Sequence, residues 1–458
     1  MSLRAQREQT NVSIRVVFLS EGRVVMQEPT LTRNAISESL FNRVAGYIPG
    51  LGVKGALPPS AQKPWQKWVD AELGFRNHWY PVLSSRSIPE GGHKAVKVLG
   101  EDLLYLRRGG KLYAIEDRCA HRGTRFSVRP LTFTNDTITC WHHTFTFDLG
   151  DGRVRCLLND PKSAMCGQKG IKSYPVREVK GVVFTFIGDM APPPLECDVA
   201  PGFFDENVAI CVAEPYVVKA NWRLGAEGGF DPGHHFIHNW SNWAACAGLP
   251  MTFGWVPNKE VVVETNVYMA EKLGPSGFTR LASKSDVTST SAWIPGRNGT
   301  SDFEVVLPMA RGFSPAQREA YENSSYDGTV GGWMPGSLKV DWWPSPGIVH
   351  NEYYVPRDAN SHYYFQVGWF RSDDPQLREE WANGELGQVR WKIPVVDQFT
   401  IDDATAREAT HEFYAREGGW QQERSAPFDT EVLMWRTFCS DQARGVQKVE
   451  HTLGKFPR

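Results

Sequence analysis

Two short segments, Cys119-Ala-His121 and Cys140-Trp-His-His143, each set one thiol and one imidazole a few residues apart. That two-plus-two set suits a [2Fe-2S] cluster in which two thiolates hold one iron and two imidazoles the other, with one Cys and one His supplied by each of two facing loops. A His pair in place of two thiolates raises the potential to roughly −150 to +300 mV, against about −400 mV for all-cysteine plant-type clusters. Such a centre accepts an electron from a ferredoxin and passes it to an oxygen-activating metal. The alternatives are a chance grouping of buried polar residues and a structural zinc site, although zinc modules usually pair Cys with Cys and His with His along the chain. Arg122-Gly123 and the aromatic Trp141, Phe145 and Phe147 supply backbone N–H groups and an apolar wall of the kind that tunes a cluster. His142 and His143 are adjacent, and only His143 has the three-residue offset from Cys140.

A centre of this type, a Rieske cluster, needs an acceptor, and a second constellation offers one. In Asn221-Trp-Arg-Leu-Gly-Ala-Glu-Gly-Gly-Phe-Asp231-Pro-Gly-His234-His-Phe-Ile-His238, the residues Asp231, His234 and His238 stand at i, i+3 and i+7, which places them on one face of a predicted helix. Two imidazoles an α-turn apart chelate one metal. With a carboxylate from elsewhere they complete the two-histidine, one-carboxylate triad of non-haem Fe(II) oxygenases, which leaves positions open for dioxygen and substrate. The plainer reading makes Asp231 an N-cap, with Pro232 at the first helical position and the histidines core residues. The cap and the metal roles are compatible, and a His pair at ligand spacing beside a cluster favours the metal. His235, three residues before His238, is the nearby competitor. For the carboxylate, Asp402-Asp403-Ala-Thr-Ala-Arg-Glu408 opens a helix; either aspartate can ligate or cap, and position alone leaves both open.

The elements that must position these groups fall into two blocks, as expected for 458 residues. Residues 1–74 read as an N-terminal extension whose apolar stripe (Ile36, Leu40, Phe41, Val44, Ile48) suits one amphipathic helix, after a flexible tail of about twenty-five residues and with Met26 as an alternative start. Residues 75–190 read as a small all-β domain. Its strands are predicted at Lys94–Leu99, Leu103–Arg107, Lys111–Ile115, Ile138–Trp141, Phe145–Leu149 and Val182–Ile187, with hairpin signals at Arg108-Gly-Gly and Gly150-Asp-Gly. Residues 191–458, after Pro192-Pro-Pro194, read as an α+β domain on an antiparallel sheet. Strands are predicted there at Ala209–Val218, Val261–Ala270, Leu338–Trp343 and His362–Phe370, and helices at Asn221–His238, Pro375–Asn383 and Asp403–Arg416. Ser283–Gly332, polar and weakly periodic, reads as an insertion or lid. A formal net charge of −2 and the lack of any basic block argue against nucleic-acid or membrane partners. Cys156, Cys166, Cys197, Cys211, Cys246 and Cys439 have no disulfide-framework spacing, and the N-terminus lacks an apolar signal region, so a cytoplasmic location is expected.

With both sites placed, the chain from about Trp68 onward resembles the terminal oxygenase α-subunits of Rieske non-haem iron aromatic-ring hydroxylating oxygenases, nearest the carbazole 1,9a-dioxygenase and 2-oxoquinoline 8-monooxygenase group. The resemblance rests on Leu73-Gly-Phe-Arg-Asn-His-Trp-Tyr80, Asp117-Arg-Cys-Ala-His-Arg-Gly123, Asn221-Trp-Arg-Leu224 with Gly229-Phe-Asp-Pro-Gly-His234, and Asp402-Asp-Ala-Thr-Ala-Arg-Glu-Ala409. It implies an all-β Rieske domain joined to a helix-grip catalytic domain. Cys119, His121, Cys140 and His143 become cluster ligands, and His234, His238 and Asp403 iron ligands, Asp403 being preferred to Asp402 for its five-residue offset from Glu408. Asp231 becomes the carboxylate linking a cluster histidine to an iron histidine across a subunit boundary of a head-to-tail homotrimer. The implied activity is mono- or dioxygenation of an N-heteroaromatic ring, with Gly229 offering its carbonyl to a ring N–H. Electrons are expected from a separate ferredoxin or flavin reductase, because the chain has no second cysteine framework of the plant-type ferredoxin kind. The family's usual Glu-Asn before the ligand helix is Glu227-Gly228 here. An N- or O-demethylase, which releases formaldehyde, and a Rieske electron-transfer protein without the mononuclear iron are the competing classes.

Overall fold

The β-rich run from His78 to Ile187 folds into small antiparallel sheets in the computed structural model. The described residues are 35–49, 56–60, 62–241, 290–297, 299–323 and 329–452, with strand segments 16–18, 24–26, 261–265 and 277–282. One sheet orders Ser173–Tyr174, Lys111–Glu116, Glu101–Arg108 and His93–Val98; its central hairpin turns through Gly109 and Gly110, both at positive φ, as a two-residue loop between right-twisted strands requires. A second pairs Val182–Ile187 with both His78–Ser84 and Val176–Val179. A third orders Thr137–Thr139, Phe145–Asp148 and Val154–Leu157. Each predicted strand of this block is present, with ends moved by a residue or two. His78–Ser84 escapes sequence reading because it is buried along its whole length and shows no alternation.

The second block is built on an antiparallel sheet of eight strands, ordered Val208–Val212, Ser361–Arg371, Ile348–Asp358, Ser337–Asp341, Thr329–Trp333, Gly277–Ala282 and Val261–Thr265, with Tyr216–Val218 also on Ser361–Arg371. The predicted strand Ala209–Val218 is therefore two, broken next to Pro215, which has no N–H for the ladder. Ser283–Gly332 is more than a lid: it carries the hairpin Ser291–Ile294/Phe303–Val306 and the helix Pro315–Glu322 with a Ser314 capping box, and its end enters the central sheet at Thr329. Residues 283–289, 266–270, the expected N-terminal tail apart from 16–18 and 24–26, and Cys246 lie outside the described residues. Helices Pro375–Asn383, Thr400–Arg416 and Thr430–Gln442 flank the sheet, and Ala35–Ala45 packs on Thr430–Gln442 through Leu40, Phe41 and Val44, with an Arg43–Asp441 ion pair. No helix among the described residues is long and apolar enough to cross a membrane.

The two blocks share one apolar cluster in which Trp79, Phe184 and Phe203 meet Tyr353, Phe365 and Trp369. The C-terminal segment seals that joint with buried charge. Asp198 accepts from Trp79 N at 2.8 Å and His78 Nδ1 at 2.9 Å and pairs with Arg444, whose backbone N–H donates to His78 Nε2 at 3.3 Å. Complete burial, with Arg444 beside it, lowers the His78 pKa to about 4. A denatured chain titrates this imidazole near pH 6.5, so below that pH the unfolded state takes up a proton that the native state refuses until about pH 4. Stability should therefore fall by about 2 kcal/mol between pH 7 and pH 5. Denaturant midpoints at the two pH values check this, and a His78→Asn variant should show a flatter dependence.

Candidate metal centres

The two cysteine loops are built alike. Cys119 N–H donates to Thr124 O at 2.9 Å while Cys119 O accepts from Gly123 N at 2.9 Å; Cys140 N–H donates to Phe145 O at 2.7 Å while Cys140 O accepts from Thr144 N at 2.9 Å. The fifth residue of each loop, Gly123 (φ 73°) and Thr144 (φ 62°), is left-handed and returns the chain on itself. This common frame, invisible as a repeat because the histidine falls third in one loop and fourth in the other, brings His121 and His143 to 4.6 Å between ring centroids. His142 instead meets Thr124 Oγ1 through its Nδ1 at 3.2 Å. Asp117, buried at the root of the first loop, accepts from Ser127 N at 2.8 Å and from Arg125 at 3.5 Å.

Both cysteines are buried over Phe126, Ile138 and Phe147, whereas His121 is exposed and His143 half-buried. Burial, with the neighbouring Cys140 thiol adding to it, pushes the Cys119 thiol up to about 12, so a bound cation is what would make Cys119 a thiolate. Among the described residues these four side chains do not form a group of three or more donor atoms within 4.8 Å, which one tetrahedral zinc would need. A thiolate pair set apart from an imidazole pair fits a cluster with two irons.

The stretch Asn221–His238 is not one helix. Asn221 caps a short helix, Trp222–Ala226; Gly228–Phe230 forms a 3₁₀ turn; and Asp231, extended at φ −103° and ψ 95°, opens a second 3₁₀ helix, Pro232–Trp240. Gly228-Gly229 and Pro232 interrupt the α-helical ladder. Glycine is required at 229, where a Cβ would lie 2.2 Å from Leu338 Cδ1. Asp231 thus stands before the helix rather than on the histidine face: its Oδ1 accepts from Gly233 N at 2.9 Å, the expected N-cap, with Pro232 at the first position. Its backbone carbonyl accepts from His234 Nδ1, which leaves the His234 Nε2 lone pair free to ligate.

That Nε2 lies 3.7 Å from Asp403 Oδ1, and His238 Nε2 lies 3.8 Å from Asp403 Oδ2, all three ligand atoms falling within 4.8 Å of one another. Asp402, with its side chain 30 % exposed against 9 % for Asp403, reaches only to 4.0 Å from His238 Nδ1. Neither aspartate caps its helix, which follows a π-helical stretch, Gln388–Phe399. Burial raises the Asp403 pKa against the pull of Arg407 and His234. Three converging donors, two imidazoles and a buried carboxylate, fit a divalent ion.

The surroundings differ on the two sides. Phe399 stacks on His238 at 3.8 Å and Trp343 packs on Phe399 at 4.7 Å, giving an aromatic wall. Toward Asp231 a cavity of about 260 Å³ reaches His234 and Asp403 between Glu227, Glu423, Asp429, Arg407 and Arg436. Glu227, the retained member of the usual pair whose second residue is Gly228 here, is gripped by Arg436 at 2.7 and 3.0 Å. Phe399, Trp343 and Arg407 were not singled out from sequence; only the i, i+4 spacing of Asp403 and Arg407 signals a contact.

A family model described as "Homotrimeric ring hydroxylase" matches residues 186–447, and one for the Rieske [2Fe-2S] domain matches residues 78–175. The chain is 39 % identical over 394 residues to the terminal oxygenase component of carbazole 1,9a-dioxygenase from Metapseudomonas resinovorans, covering 86 % of this chain and 97 % of the relative. The structure of the corresponding oxygenase from Nocardioides aromaticivorans superimposes with a TM-score of 0.74 at 35 % identity, over 85 % of this chain and all of that one. A structure of the reduced complex between oxygenase and ferredoxin in carbazole 1,9a-dioxygenase does so with a TM-score of 0.74 at 34 % identity, over 92 % of this chain and 98 % of that one. The ring-hydroxylase match alone takes in more than half of the sequence, so the chain belongs to the homotrimeric ring hydroxylases, oxygenases that join a Rieske [2Fe-2S] domain to a mononuclear non-haem iron domain.

Proposed function

We propose that this chain is the cytoplasmic terminal oxygenase component of a system that hydroxylates N-heteroaromatic rings of the carbazole or 2-oxoquinoline kind, with a ferredoxin as electron donor. The observation that carries the reading is the convergence of His234, His238 and Asp403 in a chain that also presents paired Cys and His loops. Cys119 and Cys140 hold one cluster iron and His121 and His143 the other, at the exposed end where a partner protein can dock. His234, His238 and Asp403 hold Fe(II), which supplies a site for dioxygen activation beside the substrate. Phe399 and Trp343 form an apolar face for the ring. The polar cavity on the Asp231 side lets water and protons approach to balance the electrons that arrive. Asp231, in the lining of that cavity, connects a cluster histidine of the neighbouring subunit to His234.

Iron and sulfide analysis with EPR of the anaerobically purified protein tests the reading. About three irons and two sulfides per chain with a reduced-state Rieske signal are expected; zinc without sulfide would overturn it. Gly229 O is assigned to the substrate N–H. An N-methylated substrate should then bind about five- to tenfold more weakly, the worth of one lost hydrogen bond, and equal dissociation constants would refute the assignment.

A further inference from the structure

Asp403 does not stand alone behind the histidines. Its Oδ1 lies 3.3 Å from Arg407 Nη2, one turn along the same helix, and both side chains are under 10 % exposed. The guanidinium is held over the rings of Tyr364 at 4.6 Å and Tyr354 at 5.0 Å, and its other terminal nitrogen, Nη1, is buried without a hydrogen-bonding partner among the described residues. The Tyr354 hydroxyl donates to Glu352, whose carboxylate takes His350 Nε2 at 2.7 Å, and Trp391 Nε1 donates to His350 Nδ1 at 3.0 Å. Because His350 Nδ1 accepts, its Nε2 carries the proton, so this chain of side chains has one arrangement of donors. Arg407 is thus locked by two aromatic faces, with Nη2 set against Asp403 Oδ1.

A buried ion pair is weak evidence for stability, because desolvation offsets most of the attraction, and its best-attested use is to fix one geometry among several. We propose that Arg407 is the positioning residue of the iron site: its ion pair to Asp403 Oδ1 fixes the rotation of the carboxylate, so that Oδ1 stays 3.7 Å from His234 Nε2 and Oδ2 3.8 Å from His238 Nε2, the orientation in which a metal between the histidines would meet it. This rests on the assignment of Asp403 as a ligand. Arg407 touches neither substrate nor metal; it acts through the carboxylate.

Cobalt(II) binding to the protein stripped of its mononuclear iron, with the Rieske EPR signal as the control for folding, tests this without turnover. Arg407→Met is expected to weaken cobalt(II) about 10- to 100-fold and to change the intensity of its visible band, as loss of a partner that orients a ligand does. Arg407→Lys, which keeps the charge but not the fork, should recover most of the affinity and still show an altered band. Wild-type affinity and an unchanged band in both variants would overturn the proposal. Should the Met variant fail to fold, the Lys variant decides alone: an altered band supports the proposal and a wild-type band refutes it. An Asp403→Ala protein that binds cobalt(II) like wild type would instead remove the ligand assignment on which the inference stands.

Discussion

Replacing Asp403 with alanine should abolish ring hydroxylation while leaving the cluster intact, so that iron falls from about three to about two per chain and sulfide stays at about two. Among the described residues, Asp403 is the carboxylate that sets one oxygen within 4 Å of His234 Nε2 and the other within 4 Å of His238 Nε2, on a helix separate from theirs. Without it a metal keeps two imidazole donors and no anionic one. Asp402→Ala is the matched control. Its side chain is 30 % exposed and only nears the far nitrogen of His238, so the iron content should be retained and turnover should drop by less than about tenfold. Iron retention by the Asp403 variant together with iron loss in the Asp402 variant would reverse the assignment. EPR of the reduced cluster reads both proteins on the same scale.

Two inactive proteins should restore each other when they assemble together. A Cys140→Ser chain keeps the iron triad and loses the cluster; an Asp403→Ala chain keeps the cluster and loses the iron. If electrons cross from one subunit to the next in a head-to-tail trimer, random co-assembly pairs an intact iron site with an intact neighbouring cluster in about a quarter of sites, and activity returns to about a quarter of wild type from almost none. Transfer confined within each chain predicts no recovery. The position of Asp231 gives the route a direction, since it lines the cavity beside His234, to which its backbone carbonyl is hydrogen-bonded, in the iron-bearing subunit. Adding Asp231→Asn to the Cys140→Ser chain should remove the recovered activity by about 10- to 100-fold, whereas adding it to the Asp403→Ala chain should change little. Turnover of the co-expressed, tandem-tagged trimers, supplied with ferredoxin and reductase, measures all four combinations.

What the sequence by itself determined is the chemistry. Soft and borderline donors at loop spacing specify a cluster, two imidazoles four apart specify a metal, and Pro232 after Asp231 specifies a helix start, because each of these is a local matter of donor type and reach. The alternating strands of the cluster domain were legible for the same reason: half-buried strands write their burial into every second residue. His78–Ser84, buried along its whole length, carries no such record, and the predicted helix across Asn221–His238 failed where Gly228-Gly229 and Pro232 outweigh the apolar periodicity. Only the tertiary structure decided which of two adjacent aspartates faces the histidines, since that depends on the rotation of Thr400–Arg416 as it leaves the π-helical turn before it. It alone placed Arg407 against Tyr354 and Tyr364, and Phe399 on His238, because those contacts join segments more than 40 residues apart whose meeting is governed by packing rather than by any local pattern.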